Sequence, residues 1–90
     1  MKKMKQKPNE ASREATYKTT FLHSTEFMAR NGKTVYISEE FHKTISSIVF
    51  VLGDGKITIS DYLYNLLEQH FQDFREDIKA LYNEKQKPIL

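Results

Sequence analysis

Ninety residues allow one domain at most. Cysteine is absent, which excludes disulfides and thiolate-metal sites. The net charge of +2 conceals an asymmetry: residues 1–33 carry eight Lys/Arg and three Glu, a net of +5, while residues 34–90 net −3.

In chain order, residues 1–16 are polar and hold no Val, Ile, Leu, Phe or Tyr. Such a stretch buries too little surface to offset the entropy of ordering, so residues 1–31 read as a basic N-terminal arm, disordered or extended. Lys2, Lys3, Lys5, Lys7 and Arg13 make it attractive to polyanions. Tyr17 to Leu22, "YKTTFL", has strand-like composition and is expected to dock as an extended segment.

Asn31-Gly32 is a hairpin signal, followed by the strand-like Lys33 to Ile37. A single strand leaves its backbone groups unpaired, so it needs a partner. Phe27 to Arg30 is a poor one, being short and built from mediocre strand formers. Antiparallel pairing with a second copy is preferred, with Asn31-Gly32 as a bend and the hairpin as the alternative. Ser38 reads as an N-cap, with Glu39 and Glu40 favourable in the first helical turn. The helix that follows runs to about Leu52, with Phe41, Ile45, Ile48, Val49 and Leu52 on one stripe.

Gly53-Asp54-Gly55 ends that helix, and Thr58 caps the next, with Asp61 as its capping-box partner. The second helix is predicted from about Ile59 to about Asn83, and Pro88 forbids helix soon after. A helix this long for so small a domain implies a packing partner from another chain. The longest apolar run, Ile48 to Leu52, is five residues, far below the roughly 20 that span a bilayer. With no apolar stretch behind the basic N-terminus, the expected location is cytoplasmic and no membrane partner is expected.

Strand, "SEEF" helix start, glycine turn and "KITISDYLYNLLEQHF" together resemble the ribbon-helix-helix family of DNA-binding proteins, over about Lys33 to Phe71. The resemblance implies a mainly α fold with one short strand (βαα), forming an intertwined homodimer over residues 32–90 that dimerises and binds DNA. It implies that the outward side chains of paired strands, here Thr34 and Tyr36, contact bases of double-stranded DNA in the major groove. This departs from the family's commoner Arg, Lys, Asn or Gln at such positions. Lys33, Lys56, Thr58 and Ser60 are the candidate phosphate contacts, the last three at the amino end of the second helix. Plain capping explains Thr58 equally well.

"KTVYISEEFHKTISSIV", the long helix and "ALYNEKQKPIL" are also similar to small proteins carried on conjugative transposons of Bacteroides and relatives. That resemblance covers about Tyr17 to Leu90. It implies a bacterial mobile-element context and no established activity, since those proteins are functionally uncharacterised. The DNA-binding reading then makes the protein a regulator or a conjugation accessory factor, with conjugation or mobilisation proteins as further partners. The alternative is an interaction module, antitoxin-like or structural, that uses the second helix and the tail from Tyr82. No enzyme, cofactor or metal site is expected: His23, His42 and His70 lack metal-ligand spacing, and no nucleophile–base pair can be argued.

Overall fold

The computed structural model describes residues 6–86, and side-chain surroundings from Ala11 to Gln86. Lys2, Lys3 and Lys5 of the basic arm and residues 87–90 of the tail lie outside the described residues. Three helices carry the fold: α1, Gln6–Phe21; α2, Glu39–Ser47, extended by a π-helical turn Ile48–Leu52; and α3, Ile59–Lys85. A single 3-10 turn, Ala29–Asn31, interrupts the connection between α1 and α2.

The expected extended arm is instead α1. Ala11, Arg13, Glu14 and Ala15 are good helix formers. Pro8 sits in the first turn, where its missing N–H costs no internal bond. The "YKTTFL" segment joins the helix because Tyr17 and Phe21, one turn apart, present their rings together at 5.2 Å. Both rings meet Tyr62 on α3.

The ribbon-helix-helix expectation is overturned. Among the described residues there is no strand, and therefore no β-ribbon of an intertwined dimer. Lys33 to Ile37 is irregular chain, exposed throughout. The β-branched and aromatic composition of the segment is strand-like, but nothing among the described residues pairs with it. Asn31-Gly32 forms no hairpin either. It closes the 3-10 turn through Asn31 N–H to Met28 C=O and Gly32 N–H to Ala29 C=O, each 2.9 Å. Gly32 keeps a negative φ, whereas a type I′ hairpin turn requires positive values at both central residues. A Cβ at Gly32 would stand 2.7 Å from the Phe27 ring, so a larger residue there must displace that ring.

The helix signals locate their elements. Ser38 caps α2, its hydroxyl accepting the Phe41 N–H at 3.1 Å. Thr58 and Asp61 form a reciprocal capping box at the head of α3. Between α2 and α3 the chain turns through Asp54 (φ 59°) and Gly55 (φ 69°), both left-handed.

The core is small. Val49, Ile57 and Tyr62 are buried, with Tyr17, Phe21, Leu22, Ile45, Ile48 and Ile59 packed around them. Phe41 and Leu52, expected on the buried stripe of α2, are exposed. The π-helical turn accounts for Leu52. The Gly53 N–H bonds to the Ile48 C=O, five residues back, so each residue turns through a smaller angle and the stripe loses phase.

Candidate nucleic-acid and protein interface

Two features of the surface are candidates for function: the segment between α1 and α2, and the outer side of α3. Both depend on how α3 is anchored.

The inward side of α3 presents Asp61, Tyr62 and Asn65, all buried. The Asn65 side-chain amide donates to the C=O of Phe21 (3.0 Å) and of His23 (2.9 Å). These carbonyls lie at the carboxyl end of α1, where the helix cannot satisfy them itself. Asn65 therefore ties α1 to α3, while its Oδ1 is buried without a partner among the described residues. Tyr17 and Tyr62 add a hydroxyl–hydroxyl bond of 2.6 Å. Burial, then that bond, pushes the Tyr17 phenol up to about 12.

Asp61 anchors the next stretch. One carboxylate oxygen accepts from the Thr25 N–H (3.1 Å) and hydroxyl (2.8 Å), and the other accepts from the Thr58 N–H (3.0 Å). Burial works to raise this carboxyl, and the hydrogen bonds from Thr58 and Thr25 outweigh it, so the net shift is downward. The carboxylate thus pins Thr25, and with it the start of the loop that leads to Lys33.

Beyond that pin Phe27 stacks on Tyr64 of α3, ring centroids 5.7 Å apart, and the chain that follows is exposed. Lys33, Thr34 and Tyr36 are all exposed, with Val35 at 75% and Tyr36 at 93%. The three stand on one continuous exposed stretch, residues 26–44, which also holds Arg30. The other phosphate candidates are placed apart from these. Lys56 is exposed and 3.9 Å from Asp54. Thr58 directs its hydroxyl to the Asp61 N–H at 3.0 Å, so that oxygen already has a capping role. Ser60 is half-buried, and it lines a shallow hollow with Thr58, Asp61 and Arg30. Asp61 places a carboxylate in that hollow, which opposes an anion there.

Arg30, Thr25 and Asn65 were not singled out by the sequence reading. Arg30 enters the sequence analysis only through the basic charge of the arm and as the end of the rejected hairpin partner Phe27 to Arg30. The roles of Thr25 and Asn65 depend on contacts 36 and 44 residues apart in the chain, which no local pattern announces.

His70 is exposed and packs against Phe71 and Phe74, ring centroids 5.4 Å away in each case. Asp73, Glu76 and Asp77 are exposed on the same helix. Among the described residues no group of three His, Cys, Asp or Glu side chains is placed to hold a metal ion. Among them also, no helix is long and apolar enough to cross a membrane.

No curated protein and no solved structure matches the chain. A family match extends over residues 1–85, taking in α1, α2 and all of α3, and it carries neither a ribbon-helix-helix assignment nor a mobile-element one. On that match the chain belongs to the family described as "Protein of unknown function (DUF3408)".

Proposed function

We propose that the protein binds double-stranded DNA through the exposed stretch from Arg30 to Tyr36, as a regulator or a conjugation accessory factor of a bacterial mobile element. The observation that carries this reading is the exposure of Tyr36, at 93%, beside Thr34 and between flanking cations and the α2 cap. An aromatic ring left almost wholly in water stabilises nothing in its own chain, yet it has a large face to offer a groove or a sugar. Thr34 adds a hydroxyl and a methyl for base edges, including the thymine methyl. Arg30 and Lys33 supply phosphate contacts, and Arg13 and Lys18 on α1 add basic charge. The mobile-element context rests on the likeness of "KTVYISEEFHKTISSIV" and "ALYNEKQKPIL" to proteins of Bacteroides conjugative transposons.

The test is fluorescence anisotropy with DNA from the host element, comparing the protein with its Thr34→Ala/Tyr36→Ala variant. Both side chains are exposed, so the variant folds normally. Affinity for a cognate fragment is expected to fall more than about tenfold, as for loss of one or two base contacts. Unchanged affinity would remove these residues from the interface.

A second reading is a module for binding another protein, with DNA contact incidental. It is favoured by the apolar side chains that α3 leaves exposed, from Leu67 to Tyr82. A purified protein that ignores DNA at every salt concentration supports this reading over the first.

A further inference from the structure

The outer side of α3 is organised. Asp61, Tyr62 and Asn65 bond to α1 and the loop after it, and Gln69, on the same side of the helix, is half-buried. On the opposite side of the helix, Leu67, Phe71, Phe74, Ile78 and Leu81 follow one another by steps of four and three. That spacing is the seam of a helix that pairs with another helix. All five are exposed, Leu67 and Phe71 at 52% and Leu81 at 63%. Phe74 departs from helical geometry (φ −119°, ψ 19°). This residue kinks α3. Its two angles deviate in opposite directions from the usual −63° and −42°, so the turn per residue is nearly preserved and the five side chains keep one side of the helix as its axis bends.

We propose that this stripe is covered by a second copy of the same helix, packed antiparallel so that Phe71 meets Phe74 and Leu67 meets Ile78 of the other chain. The charges beside the stripe select this arrangement. In this register Glu68 stands opposite Arg75 of the second copy, and His70 opposite its Asp77. Two-fold symmetry makes each pair twice. Sliding the register by one heptad sets Arg75 against Arg75, or Glu68 against Glu68. A parallel pairing stacks Lys85 on Lys85 in the seam. Among the described residues, the ion pairs are Lys43 with Glu39 and Lys56 with Asp54, which leaves Glu68, Arg75 and Asp77 free to pair outside the chain. The area suffices as well. A fully buried aromatic side chain covers roughly 150–250 Å². Two half-wet rings and three aliphatic side chains thus offer on the order of 400–500 Å² per copy, close to the total of about 1,000 Å² at which specific interfaces begin.

This pairing is independent of the DNA reading, because its readout is the mass of the protein without nucleic acid. Sedimentation equilibrium of the full chain is compared with Glu68→Arg, Arg75→Glu and the double variant. All these positions are exposed, and circular dichroism checks that each variant stays helical. A dimer is expected for the parent. Either single variant sets like charges together twice and weakens it at least about tenfold, and the double variant restores it to within about threefold. A parent that stays monomeric at 100 µM, on the order of the weakest specific self-association, overturns the proposal. So does a dimer that ignores the single reversals, or one that the double variant fails to restore.

Discussion

Asn65 and Asp61 show how a few buried polar groups position a surface that the small core alone leaves loose. Asn65 donates to two carbonyls of another element, so removing its amide leaves both without that partner. Asn65→Ala is expected to cost about 2 kcal/mol in urea-unfolding stability, within the range for exposing buried acceptors to an unmet bond. Tyr17 carries a pH dependence of definite sign. Its phenol is held up to about 12 in the folded chain against about 10 when free, so folding favours the protonated form. The stabilisation is fully present below pH 10 and is lost as pH rises from about 10 toward 12. Thermal melts across that range are expected to fall steeply for the parent and less steeply for Tyr17→Phe, which has no proton to lose. Equal slopes would show that the hydroxyl pair is not the alkaline-sensitive contact.

The connections between elements divide into those readable from the chain and those that are not. Ser38, Thr58 and Asp61 were legible as caps because capping is a contact between near neighbours, and both caps are in place. The Gly53 turn was legible as a stop, although its tightness was not. A Cβ on Gly53 would lie 2.5 Å from the Val49 carbonyl oxygen and 2.8 Å from Ile57, so Gly53→Ala must push the end of α2 away from the core. It is expected to cost about 1–3 kcal/mol, read as a lowered melting temperature. The N-terminal helix was missed. Composition alone argued against order in residues 1–16, and the helix is held by Tyr17 and Phe21 meeting Tyr62 across 45 and 41 residues of chain. The strand was misread for the reciprocal reason: Lys33 to Ile37 has the residues of a strand, but its pairing depends on a neighbour that this chain does not supply.

At the scale of the molecule, the balance of buried and exposed apolar side chains governs the account. Among the described residues three apolar side chains are buried, while aromatic and aliphatic side chains from Val35 to Tyr82 face water. Part of that surface, on α3, has the spacing and flanking charges of a helix seam. The rest, around Tyr36, adjoins the basic half of the chain. The candidate base contacts Thr34 and Tyr36 were expected to point outward from a ribbon that is absent among the described residues; they are exposed on irregular chain, as are Lys33, Val35 and Ile37 beside them. The phosphate candidates at the head of α3 were legible only in part, since the carboxylate of Asp61 closes that end through Thr25, a partner distant in sequence.

The proposed DNA binding is tested by fluorescence anisotropy of the purified full chain with pooled fragments of its host element across a salt series. The expected result is saturable binding that persists at physiological salt, prefers particular fragments and weakens linearly in the logarithm of salt concentration as phosphate contacts are screened. Absence of binding, or binding to every fragment alike and only at low salt, would contradict the claim.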